Sequence, residues 1–225
     1  MPSSPFIRRT ATSPAQSVIS RRALLSGLGT LALLGAMVVR PHPVMASDSA
    51  TELLFNDPET PIGGNPDGGL TIVSFFDYNC PFCRQSTVPL AKVVREDGDI
   101  RLIYKDWPIL SEASVTGALL ALAAHRQGRY EPAHHALMSL EGRADDAAMH
   151  DAVASAELDV RRLEQDMDNA RADISALLRR NSDQADGLGL RGTPAYIVGP
   201  FLVTAALNEE GFRQVVADAR ERMNG

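Results

Sequence analysis

Cysteine is almost missing from this chain: 225 residues hold two, Cys80 and Cys83, with two positions between them. A secreted domain stapled by disulfides carries several cysteines spread along its length, so no structural disulfide framework exists here. A second cysteine pair, which would complete a tetrahedral zinc site, is missing as well. Aromatic residues make up only 5% of the chain, so the interior is expected to be largely aliphatic. The first 46 residues contain no acid and five arginines, Arg8, Arg9, Arg21, Arg22 and Arg40. Taking those five from the 22 basic residues leaves 17 against all 28 acidic ones, a formal charge of about −11. A body of that sign repels phosphate backbones and anionic membrane surfaces, which argues against nucleic-acid binding.

Long apolar runs are scarce too. The one of note, Ala23–Val39, is at the short limit of the roughly 17–25 residues a spanning helix needs, and it holds Gly27, Gly29 and Gly35. Ser20-Arg21-Arg22 precedes it, and Val44-Met45-Ala46 then puts small residues where a signal peptidase reads. Residues 1–46 are therefore expected to be an export signal with Ser47 as the mature start, and the paired arginines resemble a twin-arginine signal. An uncleaved anchor is the alternative. Either one places the rest of the chain outside the cytoplasm.

Residues 47–69 are polar and rich in turn formers, as in Gly63-Gly64-Asn65-Pro66-Asp67-Gly68-Gly69, and read as a leader wrapping onto a domain at 70–225. Leu70–Phe76 has the β-branched and aromatic content of a buried strand. After the turn Asp77-Tyr78-Asn79 a helix is expected from about Pro81 to Val94, with Pro81 suited to its first turn and Pro89 expected to kink it. Ile100–Lys105 reads as a second strand. From about 111 to 186 the spacing is helical, over 112–127, 131–141, 145–156 and 159–180, which marks a helical insertion. Ala195–Val198 and Phe201–Thr204 read as short strands, and Glu209–Met223 as a closing amphipathic helix. A βαβ unit, a helical block and a ββα unit imply an α/β fold with a mixed central sheet.

Cys80-Pro81-Phe82-Cys83 stands where a strand ends and a helix begins. Disulfide exchange needs a thiolate, a second thiol within bonding reach, and access for a partner's sulfur. The unpaired N–H groups and positive dipole end of a helix start favour the anion of Cys80. Cys80 is thus expected to be the exposed, low-pKa attacker and Cys83, one turn further, the buried resolving thiol. Pro81 and Phe82 form the intervening dipeptide. His134 and His135 are adjacent on a helix and point in different directions, so no stable metal site is expected with the pair, and no cofactor. His125 and His150 are read, with them, as surface or satisfied helical residues. Trp107 is read as core or groove rim, and the charged run Arg161–Arg180 as a solvated helix face.

Phe75–Cys83 resembles the active-site segment of the DsbA-like and DsbG-like thiol oxidoreductases of the thioredoxin superfamily. Tyr104–Leu110 resembles the strand-and-proline segment that follows in them, and Gly189–Ala195 their loop with a cis-proline facing the cysteines. The resemblance implies a thioredoxin-like fold with a helical insertion between its βαβ and ββα parts. It further implies a cis Thr193-Pro194 peptide, with Thr193 and Pro194 binding the substrate strand. One departure stands out: relatives often carry a buried acid at the place of Ser74, thought to help move the resolving thiol's proton. Asp77 and Lys105 are the remaining charged candidates for influencing the pair, each equally readable as a turn former or surface charge.

The function these residues imply is extracytoplasmic thiol–disulfide exchange. Its clients would be unfolded or folding exported proteins with cysteines, and a membrane redox partner would restore the pair. Oxidase and isomerase or reductase both remain open, with a lean to oxidase because 47–69 is too short for the dimerisation domain that isomerases add. A CxxC metal-binding assembly factor and a non-redox interaction protein are the rivals from other classes.

Overall fold

The computed structural model describes residues 48–156 and 158–225. The expected export signal lies outside them. Leu70–Phe76 (the second strand, β2) and Ile100–Asp106 (β3) run parallel through the middle of a five-stranded sheet. Alternate residues of β2 feed two separate cores. Ile72 and Phe76 join Leu102 and Tyr104 on one face; Val73 and Phe75 join Ile103 and Trp107 on the other. That two-sided burial is why both strands read as near-continuous apolar runs. Ala195–Val198 (β4) pairs antiparallel with β2, and Phe201–Val203 (β5) pairs antiparallel with β4.

The far edge comes from the segment read as a leader. Asp48–Asn56 forms a helix (α1), and Ile62–Gly64 forms a strand (β1) that pairs antiparallel with β3, giving the order β1-β3-β2-β4-β5. Two of the three β1 residues are glycines, which carry no strand propensity, so the pairing has no sequence signature. Gly64 needs its lack of a side chain: its φ is +65°, and a Cβ there would sit 2.5 Å from the Ile100 carbonyl oxygen.

Helix α2, Pro81–Asp97, runs unbroken through Pro89 and ends on Gly98 in the left-handed conformation. Between β3 and β4 five helices fill the insertion: α3 Glu112–His125, α4 Tyr130–Met138, α5 Asp146–Ser155, α6 Val160–Asn169 and α7 Arg171–Gly187. The stretch expected as one helix over 159–180 is thus two, broken at Ala170. No glycine or proline marks that break, and the apolar spacing through Leu163, Ala170, Ile174 and Leu177 continues across it. Helix α8, Glu209–Asn224, closes the chain against α2 and β4. Among the described residues no helix is long and apolar enough to cross a membrane.

Candidate active site

The chain leaves β2 at Phe76 and reaches α2 through four residues whose side chains fix the turn. Asp77 sits at its base, 1% exposed. Its Oδ1 accepts from Asn79 N (2.7 Å) and Ser114 Oγ (2.7 Å), and its Oδ2 from Ile109 N (2.7 Å) and Leu110 N (2.9 Å). One carboxylate therefore ties the turn to the β3–α3 loop and to the start of α3. Such charge-assisted bonds are the stronger kind. Asn79 spends its whole amide likewise, donating to Ser111 Oγ and the Ala144 carbonyl and accepting from Ala144 N.

Cys80 is the N-cap of α2, with extended backbone (φ −82°, ψ 114°), and its sulfur accepts from Cys83 N at 3.4 Å. Pro81 takes the first helical position, where its missing N–H costs nothing. The Cys80 thiol donates to the Thr193 carbonyl at 3.2 Å, so the loop before β4 lies directly on that sulfur. The Thr193-Pro194 peptide is cis. Cys80 is held down to about 6 from 9.0, first by the Cys83 side chain hydrogen-bonded to it, then by Thr193 and the backbone N–H groups of Cys83 and Phe82; burial works against them. Cys83 goes the other way: burial, and then Cys80, raise it. Two thiols three residues apart are thus split, one poised as an anion at neutral pH and one kept protonated.

The expected exposure of Cys80 is not found. It is 3% exposed, because the Thr193 carbonyl covers its sulfur; Phe82 is the exposed member of the motif, at 57%. Phe82 instead lines an open groove with Gly189, Arg191, Gly192, Thr193 and Pro194.

These residues stand in a fold with known relatives. A sequence profile described as thioredoxin matches residues 56–218. The chain belongs to the thioredoxin family.

Among solved thioredoxin-fold structures, a thioredoxin-like oxidoreductase from Silicibacter pomeroyi DSS-3 is 38% identical, covering 76% of this chain and 97% of its own, with a TM-score of 0.71. A periplasmic thioredoxin-like protein from Salmonella enterica serovar Typhimurium is 31% identical over 76% of this chain and 96% of its own, TM-score 0.65. The thiol-disulfide exchange protein alpha-DsbA2 from Wolbachia pipientis is 27% identical over 76% and 91%, TM-score 0.70. Curated relatives include a protein named Na(+)/H(+) antiporter NhaA 1 from Mycolicibacterium gilvum, 30% identical over 149 residues, 63% of this chain. The match spans 24% of that protein's length, about a quarter.

Other thioredoxin-family expectations meet the structure unevenly. Ser74 is buried and lines a small cavity with Cys83, His134 and Tyr196, and among the described lining residues there is no carboxylate. Lys105 is neither a surface charge nor a neighbour of the pair. It is fully buried, reaching the Leu53 carbonyl (3.4 Å) and Thr60 Oγ1 (3.3 Å), and burial pulls its pKa down to about 8. Strand alternation decides this: Tyr104 faces the α2 side, so Lys105 faces away from it. His134 is buried beside the Tyr78 hydroxyl (3.2 Å) and lowered to about 3 by desolvation, while His135 is exposed. Trp107 belongs to the core, edge-on to Phe75. The run Arg161–Arg180 is not simply solvated, since Arg180 grips the buried carboxylate of Asp57 at 2.8 Å.

Sequence reasoning missed Asn79, Ser111, Ser114 and Arg84 as supports of the turn. Asn79, as a turn former, left a trace in the sequence; Ser111 and Ser114 act across 32 and 37 residues, and Arg84, though it bonds Tyr78 and Asn79 nearby, carries no local signal of doing so.

Proposed function

We propose that this thioredoxin-family chain is an extracytoplasmic thiol–disulfide oxidoreductase that forms or exchanges disulfide bonds in client proteins through Cys80 and Cys83. The observation that carries the reading is the divided pair: a Cys80 held near 6 at the start of α2 and a Cys83 pushed upward behind it.

In the oxidising direction a client thiolate, entering along the groove by Phe82 and Thr193-Pro194, attacks Cys80 Sγ of the disulfide. A client–Cys80 bond forms, and Cys83 leaves with the electron pair and takes up a proton. A second client thiolate then attacks the client sulfur of the mixed disulfide, and Cys80 leaves as its thiolate. The client gains one disulfide and the enzyme is reduced by two electrons. A low-pKa leaving thiol speeds this second step. Once Cys83 has left, its raised pKa keeps it protonated, which disfavours its return onto the mixed disulfide.

Export is supported by the pattern of residues 1–46 and by the periplasmic relative from Salmonella. Clients on this reading are exported proteins still carrying free cysteines, and a membrane redox partner reoxidises the pair. The stabilised thiolate also supports the oxidising direction, since it favours the reduced enzyme; a potential near about −120 mV agrees with that, and one near about −270 mV marks a reductant instead.

The test is a pair of variants. Cys80→Ser is expected to abolish oxidation of a reduced cysteine peptide. Cys83→Ser, given a disulfide-bonded client peptide, is expected to accumulate the mixed disulfide through Cys80, because its thiolate opens the client disulfide and no second enzyme thiol releases it; non-reducing mass spectrometry detects the adduct. Activity retained by Cys80→Ser would overturn the proposal.

A further inference from the structure

Arg84 directly follows the resolving cysteine, yet its side chain turns back over the nucleophile's own turn. Its Nε donates to the Tyr78 carbonyl at 2.8 Å, one terminal nitrogen to Asn79 Oδ1 at 3.2 Å, and the other to the carbonyl of Gly142 in the insertion. All three acceptors are neutral. The other partly buried arginines that make side-chain hydrogen bonds, Arg180 and Arg220, each grip carboxylates. Among the described residues no carboxylate forms an ion pair with Arg84, and the carboxylate of the same turn, Asp77, already accepts from four donors.

The guanidinium thus holds a full positive charge in a fixed place flanking Cys80, bonded to the residues immediately before it. Its backbone N–H makes the first-turn bond of α2 to the Cys80 carbonyl at 3.2 Å, so backbone and side chain together tie Arg84 to three successive residues of the turn, Tyr78, Asn79 and Cys80. A planar fork with five donors can span three such acceptors; an ammonium is a point charge and cannot.

Building on the proposed exchange chemistry, we infer that Arg84 is the positioning residue for Cys80, holding its turn against the Gly142–Ala144 loop and stabilising the thiolate as it leaves the mixed disulfide. In that step the second client sulfur bonds the first, the client–Cys80 bond breaks, and Cys80 carries away the electron pair. The negative charge then appears near a cation whose own hydrogen bonds all go to neutral acceptors. Burial lowers the Arg84 pKa, while Asp77 and then Cys80 raise it, so the Cys80 sulfur lies within its field. Asn79 is the second half of the clamp, fastened to Ala144 on both its N–H and its carbonyl. The helical insertion is therefore connected to the sulfur chemistry through two side chains.

The experiment measures the pH dependence of Cys80 alkylation by iodoacetamide, and the equilibrium of the pair with glutathione, in wild type, Arg84→Gln and Arg84→Lys. Removing the charge in Arg84→Gln is expected to raise the alkylation midpoint by about half to one unit, and to shift the glutathione equilibrium about threefold to tenfold toward the protein disulfide. Arg84→Lys keeps the charge without the fork and is expected to fall between. It also carries the test should the glutamine variant fail to fold. A lowered melting temperature with midpoint and equilibrium unchanged in both variants would reduce Arg84 to a structural residue and overturn the inference. A wild-type Cys80 that titrates like free cysteine would instead sink the functional proposal on its own.

Discussion

Asp106 shows how a single residue's environment can outweigh its type. It ends β3, is 1% exposed, and accepts from the Tyr130 hydroxyl at 2.7 Å. Burial raises it from 3.8 to about 7, more than Tyr130 and Tyr78 can offset. A carboxyl raised in the folded state binds a proton that the unfolded chain gives up. Its stabilising contribution is complete below about 4 and disappears as pH climbs through about 7, at up to about 1.4 kcal/mol per pH unit. Asp106→Asn removes that dependence. In urea unfolding, the stability lead of wild type over Asp106→Asn is expected to be larger at pH 5 than at pH 7.5. A lead that does not change with pH would mean the carboxyl is already ionised at pH 5. The sequence places Asp106 within the strand-and-proline segment but says nothing of its burial, because Tyr130 reaches it from a different element.

At the level of elements, the turn after β2 was legible and its supports were not. A strand, then Asp-Tyr-Asn, then Cys-Pro states the geometry within ten residues, because caps and turns are made by neighbours in sequence. The anchoring of the N-terminal segment is non-local. Arg180 on α7 bonds Asp57 through Nε at 2.8 Å and a terminal nitrogen at 3.3 Å, and reaches Glu59 at 2.6 Å. The Asp57 side chain is 1% exposed while that of Arg180 is 30% exposed. Losing the arginine leaves a desolvated carboxylate without its cation, whereas Glu59 simply returns to water. Arg180→Ala is therefore expected to cost about 1–3 kcal/mol in chemical denaturation. Thiol-exchange activity per folded molecule should be unchanged, since α1 and the Asp57 turn lie on the far side of the sheet from Cys83. Loss of activity without loss of stability would show that the two faces are coupled.

For the whole molecule, the redox state and the stability of the fold are one equilibrium. Cys80 is lowered from 9.0 to about 6 in the folded, reduced protein. A depressed acid stabilises the fold above its ordinary pKa, and the benefit is lost as pH falls through about 6. Over the full window it amounts to about 4 kcal/mol. Cys83, raised by burial, opposes this only above the ordinary thiol value. The oxidised protein has neither thiol and neither effect. Thermal unfolding of both forms at pH 5 and pH 8 is therefore expected to show the reduced protein gaining several degrees on the oxidised one at the higher pH. An unchanging gap would mean the folded state does not favour the thiolate.

Residue order and composition were enough to specify the strand into Cys80, the proline-started helix, the close-spaced thiols, the helical insertion and the acidic body. Tertiary structure decided which groups those thiols meet. The Thr193 carbonyl comes from 113 residues away and covers the Cys80 sulfur that helix position alone would leave open. Gly142 and Ala144 reach the turn from the insertion. Lys105 and Ser74, one residue apart in register on neighbouring strands, are sent to opposite faces of the sheet. Burial and long-range hydrogen bonds set these outcomes, and both depend on which segments the fold brings together, which residue spacing does not encode.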